Sequence, residues 1–338
     1  MTMSKIKVLA TDGLDLEAQE KLKQSSGILL SVNSATPKGE LVSALKEMDF
    51  AVIRSATVLN AEVLAQLPNL KGVLRAGVGI DNIDLKKAEE LGIHVWNAPT
   101  GNFQATAELA LALLFSLSRK IVFATEAARK GYWAKKEIGT SGRQMQGSTL
   151  GIFGAGNIGL RLAKMGSALG MKILVCDPVF KENPEQAFRS VTFDTLLAES
   201  DFISIHSPLL DSTKYKFNTA AFKKMKKGAL LVNAARGGII CEADLLAALK
   251  EGLLGGVGLD VFEVEPFSAD QNIISELLKH EKVIATPHVG AQTAESQKAV
   301  GLESADKILQ VVGALNAAGT APKALNVPQN PRWKLTFT

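Results

Sequence analysis

The stretch "TLGIFGAGNIGLRLAKMGSALGMKILVCDP", residues 149–178, constrains the fold more than any other part of the chain. Gly154, Gly156 and Gly159 stand as G-x-G-x-x-G directly after the apolar run Thr149–Phe153. A segment with Leu160, Ala163 and Leu169 on one helical face follows. In such a turn the first glycine permits the tight bend and the second lets the backbone approach a pyrophosphate. The third allows close helix–strand packing. The helix N-terminus then offers free N–H groups to phosphate. Asp177 ends the next apolar run, 18 residues after Gly159. A carboxylate there can accept hydrogen bonds from both ribose hydroxyls and repels a 2′-phosphate. The segment reads as a dinucleotide-binding βαβ unit that favours NAD over NADP.

The unit sits in a chain of 338 residues, long enough for two domains. Before it, short apolar runs at Ile6–Ala10, Ile28–Ser31, Ala51–Ile53, Gly72–Leu74 and Ile93–Trp96 alternate with amphipathic stretches. One of these, Leu41–Met48, is expected to be helical, with Thr36 as N-cap and Pro37 as first helical residue. A single long helix is expected from Ala105 to Lys130. A second strand series follows at Thr149–Phe153, Lys172–Cys176, Phe202–Ile205, Ala229–Asn233, Gly256–Leu259 and Lys282–Ala285. A last helix is expected from Thr293 to Val312. Strands spaced by helices imply parallel sheets. The fold class is therefore α/β with two doubly wound parallel-sheet domains, joined near residues 97–105 and again near 288–295, since the lone last helix must dock somewhere.

Composition excludes several classes. No run of about 18 apolar residues is present, so no membrane span is expected. The N-terminus does not read as a signal peptide, and a cytoplasmic location is the default. Cys176 and Cys241 give neither a disulfide framework nor metal-ligand spacing, and both read as buried small residues. No metal is expected. Net charge is +4, and the one dense basic cluster, "FKKMKKG" at 222–228, reads as a solvated helix end rather than a nucleic-acid patch. A mildly basic chain suits a small anionic substrate.

A nicotinamide enzyme must handle the proton that accompanies the hydride, and it must hold its substrate. Candidates belong at the carboxyl ends of the second strand series. "LLVNAARGG" supplies Arg236, "LDVFEVEP" supplies Asp260, Glu263 and Glu265, and "ATPHVG" supplies His288. His288 would exchange a proton with the substrate oxygen, because imidazole titrates near neutrality. Glu265 is the choice for the carboxylate that fixes its tautomer and stabilises its charged form. Arg236 can grip a carboxylate through paired hydrogen bonds and polarise a carbonyl. His206, in "IHSPL", reads as structural or as lining the cofactor cleft through its backbone, while His94 and His280 are assigned no role.

Over nearly its full length the chain resembles the D-isomer-specific 2-hydroxyacid dehydrogenases. The resemblance rests on G-x-G-x-x-G with Asp177, "HSPL", "NAARGG", "LDVFEVEP" and "TPHVGAQT". It implies that Arg236, Glu265 and His288 form the catalytic set. It also implies a split architecture: a flavodoxin-like substrate domain of residues 1–98 plus 290–338, and a Rossmann NAD-binding domain of residues 99–289. The implied cofactor contacts add Asn157 and Ile158 at the glycine turn, then His206, Ser207 and Pro208. Ala234, Ala235, Arg236, Asp260, His288, Gly290 and Ala291 complete that edge, with Val78 from the first domain.

Three further stretches, "IRSATVLN", "LRAGVGIDNIDL" and "NAPTGNFQATAELA", look like the branch of the family that oxidises D-3-phosphoglycerate. The resemblance then implies that backbone N–H groups around Ala76, Gly77 and Val78 hold the substrate carboxylate. Arg54, Arg75 and Asn102 would stand near the distal end, where a phosphate wants more than one cation, and Ser55 would join the substrate contacts. It implies too a homodimer through the NAD-binding domain, with Lys135 or Lys136 approaching the partner's site. Many members of this branch carry C-terminal regulatory domains that bind serine. This sequence stops soon after "ALNVPQN", so regulation through such a domain is not expected.

Overall fold

A computed structural model describes residues 5–182, 187–266, 272–317 and 324–326. The chain forms two compact units, one of residues 1–102 with 292–338 and the other of residues 103–291. The breaks fall a few residues beyond those expected at 98/99 and 289/290. One reason is local. The Thr100 and Gly101 N–H groups donate to Glu303 Oε2 at 2.9 and 3.3 Å, which keeps this segment with the first unit.

In the first unit, β1 (Ile6–Ala10), β2 (Ile28–Val32), β3 (Phe50–Ile53), β4 (Gly72–Arg75) and β5 (His94–Asn97) form a parallel sheet of order β2-β1-β3-β4-β5. This is the flavodoxin-like doubly wound order. Both faces are buried, so the strands read as continuous apolar runs. Side chains alternate between faces. Val8, Ala10, Phe50, Val52, Leu74 and Trp96 pack in one core, while Leu9, Ala51, Ile53, Val73 and Val95 pack in another. The first core is closed by the helices Leu16–Lys23 and Ala294–Ala317, through Ala18, Leu22, Val300, Ile308, Val311 and Val312. Burying this apolar stripe returns the end of the chain to the unit where it began.

In the second unit, β6 (Thr149–Phe153), β7 (Lys172–Cys176), β8 (Phe188–Ser190), β9 (Phe202–Ile205), β10 (Ala229–Asn233), β11 (Leu254–Leu259) and β12 (Val283–Ala285) form a parallel sheet of order β12-β11-β10-β9-β6-β7-β8. From β6 the chain winds outward through β7 and β8, then returns to β9 and winds the other way. The reversal leaves a crevice at the carboxyl ends of β6 and β9, where open α/β sheets bind ligands.

Several local expectations need correction. The helix expected over 105–130 is two helices, Phe103–Ser118 and Ile121–Arg129, separated by Lys120 at φ 51°. A continuous helix would offer the Ser118 carbonyl to residue 122. Here the Arg143 N–H takes it at 2.8 Å. Thr36 does not cap a helix, because its hydroxyl donates to the Thr11 carbonyl at 2.9 Å. Pro37 is extended, at ψ 141°, and precedes a short 3-10 turn, Lys38–Glu40, that leads into the helix Leu41–Leu45. Strand β8 was not foreseen, being three residues long. Cys176 and Cys241 are half-buried free thiols rather than fully buried ones. The basic cluster is solvated and ion-paired, Lys224 with Asp194 and Lys226 with Asp201. Among the described residues no helix is long and apolar enough to cross a membrane.

Candidate active site

The glycine turn after β6 has the build of a dinucleotide cradle. Gly154 has φ 97°, a left-handed conformation that L side chains rarely adopt, and a Cβ there would lie 2.6 Å from the Ser207 nitrogen. So β6 and the His206–Ser207 backbone after β9 approach closely. A Cβ on Gly159 would lie 2.1 Å from the Gly154 carbonyl oxygen, so the helix sits hard against the turn. A Cβ on Gly156 meets nothing within 4 Å, which leaves open space above that position. Gly156 is also the N-cap of the helix Asn157–Ala168, and no side chain caps it. The first N–H groups of that helix, at Asn157 and Ile158, face that space uncapped and suit a pyrophosphate.

Asp177 follows the end of β7. Its Oδ2 accepts the Ala155 N–H at 2.8 Å, and its Oδ1 accepts those of Val179 at 2.8 Å and Phe180 at 3.2 Å. The acid thus braces the glycine turn. His206 Nε2 pairs with Ser204 Oγ at 2.8 Å, and its Nδ1 has no partner among the described residues. Burial pushes its pKa down to about 4, so the ring is neutral at physiological pH. Pro208 is exposed, and Ser207 donates to the Pro208 carbonyl at 3.2 Å.

Three loops at the carboxyl ends of β10, β11 and β12 carry the acid–base candidates. After β10, the buried Asn233 orders the turn: its Oδ1 accepts the Ala235 N–H at 3.0 Å and its Nδ2 donates to the Arg236 carbonyl at 2.8 Å. Ala234 is buried beside it. The Arg236 guanidinium donates to the Ala235 carbonyl at 2.7 Å. After β12, His288 Nδ1 meets Glu265 Oε2 at 2.5 Å. Glu265 Oε1 accepts the Phe262 N–H at 2.8 Å. Burial pushes the Glu265 carboxyl up. The His288 hydrogen bond, the Phe262 N–H and the charges of His288 and Arg236 outweigh this and hold it below the usual carboxylate range. An ionised carboxylate on Nδ1 places a proton there and leaves Nε2 for exchange.

His288 has φ 54°, unusual for a residue other than glycine. The loop is held in that shape by Asp260. Its backbone carbonyl accepts the His288 N–H at 2.8 Å. Its carboxylate accepts Thr286 Oγ1 at 2.6 Å, Val289 N–H at 2.8 Å and Gly290 N–H at 2.9 Å. Asp260 is 1 % exposed, and burial raises its pKa against those three donors. The sequence placed Asp260 among the cofactor contacts. The geometry gives its carboxylate to the His288 loop, an anchoring role that spacing did not reveal. Ala291, the last residue of this edge, is half-buried.

The first unit carries the other candidates. Arg54 follows β3, in a loop ordered by Asp12, whose carboxylate accepts the Arg54 N–H at 2.7 Å, the Thr57 N–H at 3.3 Å and the Thr57 hydroxyl at 2.8 Å. Neither Asp12 nor its role was anticipated. The Arg54 guanidinium makes no hydrogen bond or ion pair among the described residues. It lines a cavity of about 280 Å³ with Ala76, Leu14 and Val300. Burial lowers its pKa, with the charge of Asp12 acting the other way. Ser55 is exposed beside it. Arg75, the last residue of β4, folds across Gly77 and donates to the Ala76 carbonyl at 3.4 Å. Val78 is half-buried, and its carbonyl accepts Asn97 Nδ2 at 2.9 Å. Asn102 is half-buried at the end of this unit.

Known proteins share the sequence pattern and the fold of this chain. Residues 111–290 match the model of the D-isomer specific 2-hydroxyacid dehydrogenase NAD binding domain. The chain belongs to the D-isomer-specific 2-hydroxyacid dehydrogenases, a family of NAD-dependent oxidoreductases acting on small 2-hydroxy acids. It is 42% identical over 311 residues to a hydroxypyruvate reductase of Thermotoga maritima, covering 92% of this chain and 100% of that one. It is 40% identical over 325 residues to a D-3-phosphoglycerate dehydrogenase of Archaeoglobus fulgidus, covering 96% of this chain and 60% of that one. The chain thus spans about three-fifths of the phosphoglycerate dehydrogenase and all of the reductase. Among solved structures, D-lactate dehydrogenase from Aquifex aeolicus, complexed with NAD and lactic acid, superposes with a TM-score of 0.79 at 31% identity, covering 90% of this chain and 95% of that one.

Proposed function

We propose that this chain oxidises D-3-phosphoglycerate to 3-phosphohydroxypyruvate with NAD, the step that leads from glycolysis toward serine. The observation that carries the phosphate assignment is Arg54: a half-buried guanidinium, without an ion-pair partner among the described residues, lining a cavity. A desolvated cation gains most from a ligand that brings its own negative charge. NAD supplies the hydride acceptor when bound, and Gly154, Gly156, Gly159 and Asp177 would hold it. His288 takes the hydroxyl proton of the substrate on Nε2, while Glu265 on Nδ1 stabilises the imidazolium that results. Arg236 steadies the substrate carboxylate and polarises the nascent carbonyl.

A second reading has its own support, the 42% identity to a hydroxypyruvate reductase over that protein's whole length. The two separate on Arg54. The test is NADH oxidation with 3-phosphohydroxypyruvate, hydroxypyruvate and glyoxylate, using wild type and Arg54→Ala. Loss of a charge-assisted contact should lower kcat/KM for the phosphorylated acid about 10- to 100-fold and leave the other two within about threefold. Better turnover of hydroxypyruvate, unaffected by the substitution, would select the reductase.

The second unit exposes Ile121, Val122, Phe123, Tyr132 and Trp133, the last at 83 %. Clustered exposed apolar side chains mark an interaction surface, and this supports a homodimer through the NAD-binding unit. Sedimentation at the mass of one 35.9 kDa chain at micromolar concentration would remove it.

A further inference from the structure

Glu242 opens the helix Glu242–Lys250, where an acid favours the helix dipole from solvent. Here it is only 6 % exposed, and burial raises its pKa, as do the charges of Glu263 and Glu265. Neither Glu242 nor Glu263 pairs with a cation among the described residues. The groups facing Glu242 are the carboxyls of Glu263 and Glu265, and the Tyr215 hydroxyl and Cys241 thiol border the same cavity. A buried, unneutralised acid is costly unless its hydrogen bonds hold something in place.

What it holds is the loop that carries Glu265. The Glu263 N–H donates to Glu242 Oε1 at 2.7 Å, and the Glu242 N–H donates to Glu263 Oε1 at 2.7 Å. The Tyr215 hydroxyl donates to Glu263 Oε2 at 2.9 Å. On the other side, a Cβ on Gly237 would lie 1.9 Å from the Phe262 carbonyl, so the residue next to Arg236 is pressed against the same peptide. The peptide joining Phe262 and Glu263 is thus clamped between the Arg236 turn and Glu242. Glu265 is tied to the adjoining peptide on the other side of the Phe262 Cα, since its Oε1 accepts the Phe262 N–H while its Oε2 meets His288.

We propose that Glu242 is a positioning residue: through its reciprocal hydrogen bonds with Glu263 it fixes the Phe262–Glu263 peptide, and so the reach of Glu265 to His288. This rests on the reading of His288 and Glu265 as the acid–base pair. Without the clamp Glu265 supports a positive charge on His288 less well, and the alkaline side of the pH profile reports that loss.

The test follows reduction of 3-phosphohydroxypyruvate, or of hydroxypyruvate if wild type prefers it, by the full chain with NADH across pH 5.5–9.5. Glu242→Ala should lower kcat about tenfold, keep the KM for NADH within about twofold, and move the alkaline limb of kcat/KM down by about half a pH unit. Glu242→Gln keeps an acceptor for the Glu263 N–H and should recover at least about half of the lost rate. Tyr215→Phe removes a donor at the exposed rim and should shift the limb in the same direction with about a twofold loss. If Glu242→Ala no longer binds NADH, Tyr215→Phe decides. An unshifted limb in the deciding variant, or a glutamine variant as impaired as the alanine one, overturns the proposal. His288→Ala separates the layers. Normal turnover there would remove the acid–base reading and this inference together, whereas inactive His288→Ala beside unaltered Glu242→Ala removes the inference alone.

Discussion

The two sheets share a winding rule but treat charge differently at their carboxyl ends. In the second unit two ionisable groups beside β11 and β12 are matched: His288 with Glu265, and Asp260 with three donors. In the first, Arg54 stands half-buried with no such match among the described residues. Matched groups hold one another in place and move a proton along a defined bond. An unmatched cation is poised for an anion that arrives from outside. On the function proposed above, chemistry and recognition are divided between the units, and that division can be attacked from either side.

The largest effect is expected at the matched side. His288→Ala should lower kcat by about a thousandfold while NADH still quenches protein fluorescence, because the glycine turn and Asp177 do not depend on the imidazole. A variant that loses NADH binding as well, or one that keeps more than a tenth of the rate, would break the proposed division of labour.

A smaller effect sharpens the comparison through one buried histidine in each unit. His94, on β5, is 1 % exposed and stacks on Trp96 at 5.5 Å between ring centroids. His206 lies at the nucleotide crevice. Burial lowers both to about 4. Each is neutral in the folded chain, whereas the unfolded chain binds a proton at about 6.5. The neutral ring's contribution is therefore full above about pH 6.5 and is lost as pH falls toward about 4, costing about 1–2 kcal/mol per histidine by pH 5. His94→Phe and His206→Gln should each flatten the loss of urea stability between pH 7.5 and 5. Only His206→Gln should also weaken NADH binding. An equal effect of both on NADH would contradict the separation of core from crevice.

Much of this was legible in the sequence, for identifiable reasons. Parallel strands buried on both faces are continuous apolar runs, so all five strands of the first sheet and six of the seven in the second could be read directly. The expected pairing of Glu265 with His288 came from loops that follow such runs, and the folded chain brings the two side chains together. The Ala105–Lys130 helix was misread because its break comes from Arg143, a residue distant in sequence that takes the Ser118 carbonyl. Thr36 looks like a cap by composition, but its hydroxyl is drawn to Thr11, on the neighbouring strand end. Asn233, Asp12 and Glu242 carry no local signature, since a polar residue near an element's end looks the same whether it faces water or orders a turn.

The sequence alone determined the class of fold and the kind of chemistry. Hydrophobic period, glycine spacing and residue type are local properties, and they suffice to specify βα units, a dinucleotide turn and candidates for an acid–base pair. Only the tertiary structure decided which groups are desolvated and which N–H each carboxylate accepts. Those are properties of residues far apart in the chain, and they exist only once packing has removed the water between them.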